Sequence, residues 1–283
     1  MSTTARLQVN GVSLAVTDHG PGAHGIPALV LAHATGFCGA VWEPFVAAFR
    51  ADHRVIVFDQ RGHGDSDKPA APYEWRDFVL DLAALIDRLE LRDVVAIGHS
   101  KGGAAVAGVA ADFPGRIGRA VLLDPVLVPR LEDAPASNRL AEGARRRRMV
   151  WESRAEMLES FLGRAPFTNW DPQVLRAYVQ HGTFDLPDGQ VQLKCPAEVE
   201  ASIYEGGARS ASLDYLPRIA VPTLLVRGEE SSTLPPELAR HAAGLLRDGR
   251  LHSVPGLGHF VPMEAPAAII DLVRAFLRDT ADR

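Results

Sequence analysis

The chain has 283 residues, 47% hydrophobic and 23% charged, the balance of a globular protein long enough to bury its own core. Thirty Lys and Arg stand against 35 Asp and Glu, a formal charge of -5, so no basic field is available to recruit nucleic acid. Only two cysteines occur, Cys38 and Cys195, too few for a disulfide scaffold. The first residues lack a basic segment leading into an apolar one, and no apolar run approaches the roughly 18 residues of a bilayer span; a cytoplasmic protein without membrane contact is expected.

Leu7 and Val9, then Val12, Leu14 and Val16, alternate around Asn10-Gly11, a dipeptide suited to a two-residue hairpin turn. Short apolar runs follow at Ala28–Ala32, Val55–Phe58, Val94–Ile97 and Ala120–Leu123, the pattern of strands buried on both faces. Between them Phe78, Leu82, Leu85, Ile86 and Leu89 recur at helical spacing. Strand and helix alternation of this kind predicts a mostly parallel sheet covered by helices. After Asp124 the rhythm changes. Residues 126–215 carry no clear buried strand and are expected to form a helical insert. The strand pattern resumes at Thr223–Val226, followed by a helix near Pro236–Leu246, a short strand at Leu251–Val254 and a last helix carrying Ile269, Ile270, Val273, Phe276 and Leu277.

Chemistry enters at Gly98-His99-Ser100-Lys101-Gly102. The pattern G-x-S-x-G falls where a strand ends and an Ala-rich helix begins, and a sharp strand-to-helix turn needs small flanking residues because larger ones would clash. A serine hydroxyl is a weak nucleophile at neutral pH. It needs an imidazole to take its proton, and the imidazole needs a carboxylate to hold its tautomer. Of ten histidines, only His259 lies in a loop after a late strand, between glycine-rich sequence and a helix. His33, His63 and His99 also sit in loops of this kind, where loop-ordering hydrogen bonds are the plainer reading.

With these residues in hand, the chain resembles the α/β-hydrolase superfamily over nearly its whole length. His33-Ala34-Thr35-Gly36-Phe37 resembles the family's oxyanion-hole loop, with Ala34 where glycine is commoner. Asp59-Gln60-Arg61-Gly62-His63-Gly64-Asp65-Ser66 resembles the loop after the next strand, and Pro255-Gly256-Leu257-Gly258-His259-Phe260 resembles the catalytic-histidine loop. The resemblance implies an α/β-hydrolase fold with a core of residues 1–125 and 216–283 and a helical cap of residues 126–215 after the sixth strand. It implies Ser100 as nucleophile, His259 as base, and the backbone N–H groups of Thr35 and Lys101 as oxyanion donors. The Lys101 ammonium is expected to reach solvent or a surface carboxylate.

Most relatives carry their acid just after the seventh strand, three residues beyond a glycine. Here Gly228-Glu229-Glu230-Ser231 puts serine there. Asp124, ending the sixth strand, is the preferred acid, with Glu230 as the alternative and Glu229 behind it. In the insert, Arg145-Arg146-Arg147-Arg148 reads as a solvated helix face paired with nearby acids, since acidic residues slightly outnumber basic ones across 126–215. Eight of the chain's 19 aromatic residues also fall there, so some are expected to roof a pocket, with Phe37, Trp151 and Phe167 as candidate pocket residues.

No dinucleotide fingerprint, phosphate loop or zinc-ligand spacing occurs in the sequence, so neither cofactor nor metal is expected. The expected function is hydrolysis of a carboxylic ester or lactone of a small, partly apolar molecule through an acyl-enzyme. C–C bond or amide hydrolysis on the same residues, and peroxide interception of the acyl-serine, are alternatives. A non-catalytic ligand receptor is the reading from another class; substrate identity and oligomeric state are not specified by any motif.

Overall fold

The computed structural model describes residues 2–130 and 138–281. The hairpin of β1 (Thr3–Val9) and β2 (Val12–Asp18) turns at Asn10 and Gly11, both at positive φ (41° and 76°), as a two-residue hairpin turn matched to strand twist requires. Then follow β3 (Leu29–Ala32), α1 (Glu43–Phe49), β4 (Val55–Phe58), α2 (Trp75–Arg88), β5 (Val94–His99), α3 (Lys101–Asp112) and β6 (Ile117–Leu123). After β6 the chain leaves the sheet for α4 (Arg139–Arg146), β7 (Val150–Trp151), α5 (Arg154–Phe161), α6 (Pro172–His181), β8 (Thr183–Asp185), β9 (Val191–Leu193) and α7 (Ala197–Gly207). It returns through a 3₁₀ segment, Ser212–Arg218, to β10 (Thr223–Gly228), α8 (Pro236–Leu245), β11 (Gly249–Val254), α9 (Val261–Glu264) and α10 (Pro266–Asp279).

Eight strands form one sheet in the order β1-β2-β4-β3-β5-β6-β10-β11, antiparallel in its first two pairings and parallel thereafter. This is the α/β-hydrolase fold with a helical insertion after β6. Alternate residues of the central strands feed opposite cores, because successive side chains of a strand point to opposite faces. Val30, Ala96, Leu122 and Leu225 pack under α2, α3 and α8, while Leu29, Leu31, Ile97, Val121 and Val226 pack under α1 and α10. Helix α2 buries Phe78, Val79, Leu82, Leu85 and Ile86, each contributing about 1.5–3 kcal/mol relative to exposure.

The insertion is not purely helical. Its strands pair antiparallel in the order β7-β9-β8, and they span two or three residues each, too few for a period-two pattern to register in the sequence. Side-chain caps start three of its helices: Asn138 accepts from the N–H groups of Leu140 and Ala141, Ser153 from Glu156, and Asp171 from Gln173 and Val174. The second sheet face's core continues into the insertion through Trp151, Phe167, Trp170 and Tyr178. Among the described residues no helix is long and apolar enough to cross a membrane.

Candidate active site

Parallel strands end together at one edge of a sheet, and the loops leaving that edge form a natural crevice. Ser100 lies between β5 and α3 at φ 56° and ψ -119°, a region non-glycine residues occupy only when their surroundings impose it. Its glycines are required by contact. A Cβ on Gly98 would strike the backbone of Gly102 and Gly103, one on Gly102 would strike the carbonyls of Ala32 and His33, and one on Gly103 would meet Pro125. The close approach at Gly102 seats the loop after β3 against the start of α3.

Ser100 Oγ is 3.0 Å from His259 Nε2, and His259 Nδ1 is 2.8 Å from Asp124 Oδ1. The three residues reach one another from the ends of β5, β11 and β6. Asp124 is fully buried, itself at positive φ (39°), and its carboxylate accepts two further hydrogen bonds, from Gly228 N–H at 2.9 Å and Ser231 Oγ at 2.6 Å. A buried carboxylate with this many donors is fixed in place. Glu229 and Glu230 are exposed. Glu230 gives only its N–H, to the Leu257 carbonyl, because the turn after β10 directs Ser231, not the glutamates, toward Asp124. The His259 loop is held from below by Glu264, whose carboxylate accepts from Gly258 N–H at 2.7 Å and Phe260 N–H at 3.1 Å.

The loop carrying Thr35 is braced by imidazoles. His33 Nδ1–H donates to the Ala34 carbonyl at 2.7 Å while its Nε2 accepts from Gln60 N–H at 3.0 Å. His63 Nε2 accepts from Gly36 N–H at 3.0 Å and its Nδ1–H donates to the Arg61 carbonyl at 2.9 Å. Both patterns require neutral rings. Burial, with the Lys101 charge adding to it, pushes His33 down to about 3 and His63 well below the ordinary imidazole value. His99, also buried and depressed chiefly by desolvation, donates from Nε2 to the His259 carbonyl at 2.9 Å.

The Lys101 side chain does not reach solvent, against the expectation from sequence. It is 1% exposed, donates from Nζ to Gln60 Oε1 at 2.8 Å and lies 3.5 Å from the centre of the Phe78 ring. Helix α2 covers the first turn of α3 and closes the outward route, so desolvation drives the ammonium well below its usual value. Gln60 completes the link by donating to the His33 carbonyl.

Above Ser100 opens a cavity of about 1000 Å³ whose walls include Thr35, Phe37, Trp151, Phe161, Phe167 and His259. Phe37, Trp151 and Phe167 thus all face it. Phe167 stacks on Phe161 at 4.2 Å between ring centres, and Phe37 meets Trp170, Tyr178 and Phe260 within 6 Å, offset and edge-on geometries favoured by ring quadrupoles. Three of the four consecutive arginines pair at the surface, Arg145 with Glu198 and Glu205, Arg146 with Glu142, and Arg148, which also borders the cavity, with Glu156. Arg147 departs from that face, because α4 ends at Arg146 and the extended backbone at 147 (φ -67°, ψ 145°) turns it inward. There it pairs with buried Glu200 and lines the cavity. Nothing in sequence spacing signals Tyr178 or Glu200, whose partners Gly36 and Arg147 lie far away in the chain. Among the described residues no cluster of three or more His, Cys, Asp or Glu is placed to hold a metal ion.

The alpha/beta hydrolase family model matches residues 29–272. The 2-(acetamidomethylene)succinate hydrolase of Mesorhizobium japonicum is 27% identical over 276 residues, covering 96% of this chain and 94% of the relative. A non-heme chloroperoxidase of Streptomyces lividans is 30% identical over 277 residues, covering 95% and 97%. The solved enol-lactonase of Burkholderia xenovorans LB400 superposes with a TM-score of 0.77 at 26% identity, over 97% of this chain and all of that one. A family match across the sheet, the Ser100 turn and the His259 loop, together with relatives aligned almost end to end, makes this chain a member of the alpha/beta hydrolase family and a hydrolase.

Proposed function

We propose that the protein hydrolyses a carboxylic ester or lactone of a small, partly apolar molecule through an acyl-enzyme on Ser100. The observation that carries the reading is the continuous hydrogen-bonded chain from Ser100 through His259 to Asp124 at the floor of an aromatic-walled cavity. The distances, 3.0 and 2.8 Å, are those a proton transfer needs before substrate binds. The insertion, residues 126–215, acts as a cap whose aromatic side chains supply the apolar wall.

In the reaction, Ser100 Oγ bonds to the substrate carbonyl carbon as its proton passes to His259 Nε2. Asp124 stabilises the imidazolium and keeps Nδ1 as the protonated nitrogen. The carbonyl oxygen takes up negative charge and is met by the backbone N–H groups of Thr35 and Lys101, the latter at the positive end of α3. Collapse breaks the bond to the alcohol oxygen, which leaves with the proton from His259. Water, deprotonated by His259, then attacks the acyl carbon, releasing the acid and restoring Ser100. Hydrogen peroxide in place of water would give a peracid from the same acyl-enzyme, and the name of the Streptomyces relative favours including it in the test.

The test is a panel of p-nitrophenyl esters, lactones and amides, with and without peroxide. Ester or lactone turnover that disappears in Ser100→Ala is expected. Turnover of amides alone would replace the ester reading, and turnover unchanged in Ser100→Ala would remove it.

A further inference from the structure

The loop after β3 is held at three points, and the third comes from outside the core. Ala34 C=O is held by His33 and Gly36 N–H by His63. Gly36 C=O accepts from the hydroxyl of Tyr178, on α6 of the insertion, at 3.1 Å. Gly36 sits at φ +84° and has no side chain to anchor it, so this residue pivots easily unless both of its polar groups are engaged.

The direction of the Tyr178 hydrogen bond is fixed by its other neighbour. Arg147 Nη2 lies 3.3 Å from the Tyr178 hydroxyl, and a guanidinium can only donate. The hydroxyl must therefore accept from Arg147, which leaves its own proton for Gly36. Arg147 is in turn paired with Glu200, 6% exposed, whose carboxylate lies so close to Gly36 that a Cβ there would meet Oε1 at 2.6 Å. Glu200, Arg147, Tyr178 and Gly36 form one ordered chain from α7 and the end of α4, through α6, into the loop that carries Thr35. The Tyr178 ring meanwhile packs against Phe37, Phe161 and Phe167 at 5.1, 6.3 and 6.1 Å, so one residue touches both the apolar wall and the loop.

We propose that Tyr178 is a positioning residue for the oxyanion hole: its hydroxyl locks the Gly36 carbonyl and so aims the Thr35 N–H at the reacting oxygen, tying the hole to the insertion that roofs the cavity. The inference rests on the acyl-enzyme reading given above. Burial holds the phenol well above its ordinary value, so it stays a donor throughout the working range of pH.

Tyr178→Phe keeps the ring and its packing and deletes only the hydroxyl. Loss of a whole oxyanion donor costs about 10²–10³ in kcat, and a donor that is misaimed and not lost should cost less, about 10- to 100-fold in kcat. KM should stay within about threefold, because the hole gains most of its contacts in the transition state. A boronic acid, which forms a tetrahedral adduct on Ser100, should bind more weakly in step with kcat, while the product acid binds as before. A purely structural tyrosine would lower melting temperature without that split. Should Tyr178→Phe not fold, Glu200→Gln takes its place: with Arg147 released, kcat should fall at least about threefold at unchanged KM, by the same transition-state argument. An unchanged kcat in the folded variant, or a loss confined to KM, overturns the positioning role while leaving Ser100 chemistry intact. A wild-type protein that turns over no ester, lactone or amide overturns the function itself, and this role with it.

Discussion

Asp124 takes three hydrogen bonds, from His259, Ser231 and Gly228, and each constrains what replaces it. Asp124→Asn keeps the shape but presents an amide to His259 Nδ1, favouring the wrong imidazole tautomer, a change that costs up to ~10⁴ in kcat in a well-studied protease. At least ~10²-fold loss of kcat is predicted here, against less than about twofold for exposed Glu230→Gln, by the same tautomer argument. Steady-state kinetics on both variants, with folding checked by circular dichroism, decides it; a larger loss in Glu230→Gln would contradict the placement of the acid. The contact of Asp124 with His259 is legible in the sequence because serine stands at the customary position after β10, leaving the end of β6 as the next place on the same sheet edge. What could not be read is that Ser231 donates to Asp124, or that the Lys101 side chain turns inward. Both depend on how neighbouring elements pack over a turn, α2 over α3 in one case and the β10 loop over β6 in the other, and no local spacing encodes that.

Under the proposed function, selectivity rests with the insertion, whose elements share their aromatic side chains. Phe161 on α5, Phe167 in the turn after it and Tyr178 on α6 lie within 4.2–6.3 Å of one another, and Phe167 and Phe161 both line the cavity. Phe167→Leu removes ring area from that wall while keeping the site apolar. Since one methylene in an apolar pocket is worth about 1–3 kcal/mol in discrimination, the ratio of kcat/KM for bulky over short acyl chains should rise at least about fivefold. The same change followed by thermal unfolding separates the alternatives: a lowered Tm with an unaltered ratio would make Phe167 part of the cap core and not of the pocket. The sheet elements were readable in order, because β3, β4 and β5 are short runs buried on both faces. The insertion's three strands were not, and the inward turn of Arg147 is hidden in the sequence because a helical repeat continues past the point where the helix ends.

At the scale of the whole molecule, His33, His63 and His99 are buried as neutral rings at the active edge of the sheet, and each is depressed first by desolvation. The unfolded chain binds protons near pH 6.5 that the folded chain refuses, so their contribution to stability is complete above about 6.5 and declines as pH falls, for His33 down to about 3. Each titrating ring removes about 1.4 kcal/mol per pH unit in that window. Buried Asp59 and Asp81, raised chiefly by desolvation, act with the opposite sign where carboxylates begin to protonate. Between pH 7 and 5 the histidine contribution predicts a fall in Tm of more than about 5 °C; a constant Tm across this range would contradict their being held neutral. The fold, the neutral imidazoles and the cavity all converge on a single hydroxyl, at Ser100. Intact-protein mass spectrometry after a fluorophosphonate probe tests that hydroxyl directly. A single phosphonyl adduct mapping to Ser100, absent from a folded Ser100→Ala variant, is the predicted result; equal labelling of the two proteins, or no labelling of either, would contradict it.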